Sequence, residues 1–358
     1  MKDDHETRAA APAQEPLRTV KLRDGSELVL YKFVCPLEPD LRRDLTGLLN
    51  NEWPDGDFHW SQSMTGQLAD SLTVVVCPAM RRGQWVGTAS VVHPVREPRV
   101  AAVCDVTTLS AMRGLGVARA TTQAVTDHAL EQGVGAIHLG TTRQGGAWRV
   151  YERVGYKWLH DSGGVMRHVP AGSDAFDDTY FRAGQPVSIR PTQWGDLPGV
   201  SALLAVPYDA LAGDYTRGIF SPKYTFHPRC VSAFTTIHYG VEATGGQCLS
   251  LIGESAHQVL GLASITPLDT AYRKHVGALE IMTHDHYTQH GPVLLRAALD
   301  AAKDAGVRRA IAHVPALDTL KAQWLTEAGA ETVGRLKAHM MLGEKEVDFE
   351  IFELALNE

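Results

Sequence analysis

Cys104-Asp-Val-Thr-Thr-Leu-Ser-Ala-Met-Arg-Gly-Leu-Gly-Val-Ala118 is the stretch from which the fold can be read. It runs as a β-branched strand, a short turn and a Gly-rich entry into an amphipathic helix that continues to about Gln132. A helix that starts this way presents free backbone N–H groups and a positive dipole end to an anion. Arg113 sits in the turn, where a guanidinium can add charge-assisted hydrogen bonds to a phosphate. Gly114 and Gly116 let the backbone approach a ligand without an intervening Cβ.

Upstream, Thr19–Phe33 reads as two short strands around an Asp24-Gly25 turn, and Pro36–Glu52 places leucines on one helix face. Ser71–Cys77, Gln84–His93 and Val100–Leu109 are further strands. Downstream, the helix ends at Gly133, Ala136–Thr142 is a strand, and Ala147–Val154 is a short helix closed by Gly155. Residues 1–17 are polar and Ala/Pro-rich, and are expected to be a disordered tail. The polar segment 171–186 reads as a linker between a domain at 18–170 and a second at 187–358. In that second half, Thr235–Val241, Cys248–Gly253, Val259–Ile265 and Val276–Met282 are expected as strands. Gly291–Ala305 is expected as a strong amphipathic helix.

The halves repeat one plan. With Asp105 placed on Glu280, Gly116 falls on Gly291 without a gap; Gly133-Val134 then matches Gly306-Val307, and Gly155 matches Gly329. In the second copy Arg113 becomes Thr288, Gly114 becomes Gln289 and Tyr151 becomes Leu325. Pro292 also removes a backbone donor after Gly291.

Bulk properties narrow the function. A chain of 358 residues, 44% hydrophobic and 21% charged, fits a two-domain globular protein. A formal net charge of −7 argues against a nucleic-acid partner, and no apolar run is long enough to span a bilayer. Five widely spaced cysteines in hydrophobic contexts suggest a reducing, cytoplasmic setting and no structural zinc. His284-Asp285-His286, with His275 and His290 nearby, lacks a metal-ligand spacing and reads as a polar loop, so no metal is expected.

Arg113-Gly-Leu-Gly-Val-Ala118 resembles the pyrophosphate loop of the GNAT superfamily of N-acetyltransferases. Ala147-Trp-Arg-Val-Tyr151-Glu-Arg-Val-Gly155-Tyr156 resembles that family's second signature, at the expected distance. The resemblance covers residues 18–169 well and 187–358 in outline. It implies an α/β (α+β) fold of two tandem GNAT-like domains. Each would be a mixed, mostly antiparallel splayed sheet flanked by helices, the C-terminal copy degenerate.

Acetyl-CoA, or another acyl-CoA, would lie in the splay of the first domain as co-substrate. The resemblance assigns backbone groups of Thr107, Thr108 and Leu109 to the pantetheine arm. It assigns Arg113, Gly114, Leu115, Gly116, Val117 and Ala118 to the pyrophosphate. Gln144 stands where an Asn is common, which puts that cofactor contact in question. Beyond Arg113, the loop offers only Arg119 as a further cation. Tyr151 matches the family's general acid, with a core aromatic as the plainer alternative. Asp105 matches a carboxylate that receives the amine proton, with a strand-edge cap as its alternative.

The loop carrying Trp53, Asp55, Asp57 and Trp60 falls where the family builds its acceptor pocket, and its aromatics and carboxylates suit a cationic small-molecule amine. The expected activity is acyl-CoA-dependent N-acyl transfer by direct attack on the thioester. The rivals are malonyl-CoA decarboxylation or S-acyl transfer to a carrier protein on the same fold, a non-catalytic acyl-CoA-binding protein, and aminoacyl-tRNA-dependent transfer. The second copy is expected to bind no acyl-CoA and to serve structure or the acceptor site.

Overall fold

The computed structural model describes residues 15–52, 64–161, 163–170, 176–182, 186–224, 230–254, 257–268, 272–342 and 344–356. Trp53, Asp55, Asp57 and Trp60 lie outside these described residues. The chain divides into two compact units. One comprises Met1–Leu139, Gly145–Lys157 and Arg167–Pro170; the other comprises Gly140–Gln144, Trp158–Met166 and Ala171–Glu358.

In the first unit, β1 (Arg18–Lys21) and β2 (Glu27–Leu30) form the hairpin predicted around Asp24-Gly25. β3 (Phe33–Val34) is followed by α1 (Pro39–Glu52), then β4 (Leu72–Val76), β5 (Ala79–Arg81), β6 (Gln84–Pro94) and β7 (Val100–Thr108). α2 (Val117–Glu131), β8 (Ala136–Thr141) and α3 (Trp148–Val154) complete the motif-bearing part. The sheet runs β1-β2-β5-β6-β7-β8, with β4 joined to β6 and β3 to β4. Every one of these pairings is antiparallel except β7 with β8.

β6 is buried along its length apart from Gln84, because α1 and α2 both pack against it and β7. Such two-sided cover explains why QWVGTASVVHP reads as a nearly continuous apolar run rather than an alternating one. The approach of α2 is close at Gly87, where a Cβ would come within 2.6 Å of Val117 Cγ1 and 2.8 Å of the Thr107 carbonyl oxygen.

After β9 (Lys157–Trp158), β10 (Gly164–His168) and α4 (Phe176–Arg182), the second unit carries β11 (Ser188–Pro191), α5 (Leu197–Ala205), α6 (Cys230–Thr244), β14 (Gln247–Ile252), β15 (Val259–Pro267) and β16 (Val276–Thr283). The short strands β12 (Ala212–Asp214) and β13 (Ile219–Phe220) pair with each other. α7 (Gly291–Asp304), β17 (Arg309–Pro315), α8 (Thr319–Glu327), β18 (Glu331–Leu342) and β19 (Lys345–Ala355) follow. The sheet order is β11-β14-β15-β16-β17-β19-β18, and again only one pair, β16 with β17, is parallel.

One local expectation fails. Thr235–Val241 is not a strand but the middle of α6. Its β-branched residues suggest extension, yet Ala233, Phe234, Ile237, His238 and Val241 are buried at helical spacing, and burial of that face outweighs strand propensity. The segment read as a linker contains a short helix, Phe176–Arg182, whose Phe176, Tyr180 and Phe181 are buried.

Gly87→Ala is expected to lower unfolding free energy by about 1–3 kcal/mol, because the added methyl meets backbone and a packed valine. Urea denaturation of the purified variant measures this.

Candidate acyl-CoA cleft

The site begins where two parallel strands part. β7 and β8 pair only through Val100–Ala136, Ala101–Ile137 and Ala102–His138. Beyond this point β7 continues beside β6 alone, and its register there shifts between Ser90–Cys104 and Thr88–Thr107. The extra residues make a β-bulge, and Asp105 within it has φ +52°, a left-handed conformation unusual for any residue but glycine. Such strain of order 1 kcal/mol persists where surrounding structure holds it, and bulges commonly re-aim a side chain at a site.

After β7 the chain turns through Ser110–Met112 and reaches Gly114 (φ +80°) and Gly116 (φ +108°). Both need a positive φ, and a Cβ built on either meets nothing within 4 Å. Gly116 is the N-cap of α2, and no side chain caps that helix start. The orphan N–H groups of the first turn therefore face the cleft unclaimed by a cap, with the positive end of a 15-residue helix behind them.

A cleft of about 880 Å³ opens over this loop. Its lining includes Thr107, Thr108, Arg113, Gly114, Leu115, Gly116, Val117, Ala118 and Tyr151, so most of the predicted cofactor residues and the predicted acid converge on one space. The hydroxyls of Thr107 and Thr108 are buried and find no hydrogen-bond partner among the described residues. Asp105, Leu109 and Gln144 are not among the lining residues. The Leu109 N–H donates to the Val86 carbonyl at 3.0 Å, and the Gln144 side chain is exposed.

The charge of the cleft exceeds what the sequence motif suggests. Arg18, Lys21, Arg23, Arg113, Arg119, Arg149 and Arg153 all line it, and among the described residues no carboxylate does. The expectation of few cations beyond Arg113 and Arg119 is corrected. The others come from β1, the β1–β2 turn and α3, which only folding brings to the loop. Two arginines bolt the hairpin in place. Arg18 Nη1 pairs with Asp127 Oδ2 at 3.2 Å on α2. Arg23 donates from its backbone N–H to the Leu115 carbonyl and from Nη1 to the Gly114 carbonyl, both at 3.1 Å.

Tyr151 is 7% exposed and stands edge-on to Tyr156, ring centroids 6.2 Å apart. Burial pushes its phenol up to about 12, so at neutral pH it keeps its proton and can only donate it. Asp105 is half-buried, two residues before the lining Thr107. Desolvation pushes its carboxyl up to about 7, against the opposing pull of the Cys104 and Ser90 side chains. A carboxylate tuned to that range is suited to accept a proton near neutrality.

Residues 39–156 match the model of the Acetyltransferase (GNAT) family. This match lies within the first unit, which is similar to the GNAT acetyltransferases over those residues. Solved structures similar to it include an N-acetyltransferase from Staphylococcus aureus Mu50, 16% identical, covering 48% of this chain and 100% of that one at a TM-score of 0.41. Another is a ribosomal-protein-alanine N-acetyltransferase from Brucella melitensis, 18% identical, covering 47% and 99% at a TM-score of 0.39. A third is a GNAT superfamily phosphinothricin acetyltransferase from Sinorhizobium meliloti in complex with AcCoA, 15% identical, covering 48% and 89% at a TM-score of 0.41. No curated protein matches the chain.

The first unit's features have altered counterparts in the second unit. Gly291, aligned with Gly116, has φ −54° and begins α7 in ordinary helical geometry. A Cβ on Gly291 would fall 2.3 Å from the Trp324 indole, so that ring covers the helix start. Glu280, aligned with Asp105, is 3% exposed; its Oε1 accepts from the Thr216 N–H and hydroxyl at 2.7 Å each, and its Oε2 from Lys321 Nζ at 3.3 Å. Among the described residues, no cluster of three or more His, Cys, Asp or Glu is arranged to hold a metal ion.

Because the Asp105 pKa lies above its unfolded value of 3.8, the folded state binds the extra proton, and stability falls as pH rises from about 4 to about 7. Asp105→Asn is expected to flatten that segment of the stability–pH curve, read from denaturant midpoints across the range.

Proposed function

We propose that the GNAT domain transfers an acyl group, most simply acetyl, from acyl-CoA to a small-molecule amine by direct attack on the thioester. The observation that carries this is the convergence, in one cleft, of an uncapped glycine-initiated helix and a proton-holding Tyr151, with the raised carboxyl of Asp105 close by on β7. A thioester is already activated, so the protein's task is alignment, polarisation of the carbonyl and management of two protons.

In the proposed step the amine nitrogen bonds to the carbonyl carbon and the C–S bond breaks. Asp105 takes the amine proton, directly or through a water, while the Tyr151 phenol gives its proton to the departing sulfur. Backbone groups of β7 beyond the parting of the strands hold the pantetheine arm and polarise the carbonyl. The N–H groups of residues 114–118, with Arg113, hold the pyrophosphate. The second unit takes no acyl-CoA in this scheme, because Trp324 covers the helix start and Lys321 neutralises the carboxylate that aligns with Asp105. The acidic and aromatic composition of the loop carrying Trp53, Asp55, Asp57 and Trp60 supports a cationic amine as acceptor.

Release of free thiol from acetyl-CoA over a panel of amines tests the reaction, and silence across the panel would remove it. Tyr151→Phe and Asp105→Asn are each expected to lower kcat by about 10²–10⁴-fold with smaller changes in acetyl-CoA affinity. The wild-type kcat should rise with pH through a midpoint near 7 as Asp105 ionises, and Asp105→Asn should lose that limb.

A further inference from the structure

The Tyr151 phenol makes no hydrogen bond among the described residues, so packing alone sets the direction in which it points. That packing is built by the way α3 ends. The Gly155 N–H donates to the Glu152 carbonyl and the Tyr156 N–H to the Tyr151 carbonyl, both at 3.0 Å, which are the two bonds of a Schellman closure. Gly155 takes φ +106° there, and a Cβ on it would come within 3.1 Å of the His168 ring. The closure fixes where Tyr156 leaves the helix. Its ring meets Tyr151 in a T-shaped pair, centroids 6.2 Å apart at 64°, and His168 in a second, 5.4 Å apart at 63°.

An apolar contact between these two positions is ordinary for the motif. The phenol of Tyr156 adds something to it. Tyr156 is 1% exposed, and its Oη lies 2.9 Å from Oγ1 of Thr126 on α2, which is buried as well. The Thr126 hydroxyl gives its one proton to the Thr122 carbonyl at 2.8 Å, so towards Tyr156 it accepts and the phenol donates. A phenylalanine ring would fill the same space. The hydroxyl makes a directional tie from the end of α3 to α2, the helix whose bare start faces the cleft. Such a buried pair holds its ring in place, because an unpaired partner would carry the full cost of desolvation.

We propose that Tyr156 is a positioning residue for Tyr151. Tied to Thr126, its ring is the wall on which the Tyr151 ring rests, and it sets the direction in which the Tyr151 phenol presents its proton to the departing sulfur. This rests on the reading of Tyr151 as the acid and deepens it. Through Thr126 the acid is referenced to α2 itself, so a donor seated at the start of that helix and the proton meant for its sulfur share one frame. The precision matters, because a displacement of about 1 Å in a reacting group costs of order 10²-fold in rate.

The test measures thiol release from acetyl-CoA, with the best amine of the panel, for Tyr156→Phe, Tyr151→Phe and the two combined. Tyr156→Phe is expected to lower kcat about tenfold with the acetyl-CoA KM within about twofold, and to have no further effect once Tyr151 is replaced. Thr126→Val should reproduce the loss, and Thr126→Ser, which keeps a hydroxyl, should recover most of it. A second readout needs no acceptor. In protein labelled with 3-fluorotyrosine, the fluorine resonance that disappears in Tyr151→Phe should shift or broaden in Thr126→Val. An unmoved resonance overturns the positioning role. Unchanged kcat in Tyr156→Phe, with Tyr151→Phe impaired, also overturns it and leaves the acid standing. Equal losses from Tyr156→Phe in both backgrounds overturn it too, since the residue then serves the fold alone. Full turnover by Tyr151→Phe overturns the acid itself, and the positioning role with it.

Discussion

The parallel pairing of Val100–Ala102 with Ala136–His138 stops after three residues, and the working part of the first unit follows from where it stops. A strand that leaves its neighbour must satisfy its backbone groups elsewhere. β7 does so partly by bulging against β6 at Asp105 and partly by returning the Leu109 N–H to Val86. The same departure carries the chain into the two left-handed glycines and the bare start of α2. Backbone groups, hydroxyls and helix dipole are thus aimed into one space by a single interruption in a sheet. The raised carboxyl of Asp105 is a consequence of the same geometry, because the bulge carries it into desolvated surroundings beside the gap.

Much of this is legible in sequence because it is local. The glycine loop, its helix and the Tyr151 helix occupy one contiguous run, where turn chemistry and helix periodicity report directly on backbone conformation. The cations of the cleft were not legible in the same way. Arg23 meets the Gly114 carbonyl across 91 positions, and nothing in Lys21-Leu-Arg23 announces that the hairpin folds onto the loop. A weak signal existed in Trp148-Arg-Val-Tyr-Glu-Arg153, where the two arginines share a helix face one turn apart. The misreading of α6 has the opposite origin. Its β-branched residues carry a local preference for extension that packing against α5 and β15 overrides.

The second unit shows what the same plan becomes when its gap is closed from within. Its parallel pair also parts after three residues, Val276–Arg309 to Ala278–Ile311. There, however, a lysine reaches the carboxylate, an indole covers the helix start, and a buried Asp214–Arg217 pair adds a further internal neutralisation. A buried charge with a fixed partner is a structural element, because removing either member leaves the other uncompensated.

Trp324 over the helix start of the second unit, against the bare helix start of the first, gives the two halves different couplings to a ligand. Under the acyl-CoA reading of the first unit, its stability is a function of donor concentration through mass action. The second unit, whose helix start is covered by Trp324, has no such dependence in that scheme. Unfolding of the chain then becomes more or less cooperative as the donor supply changes the difference in stability between the two halves.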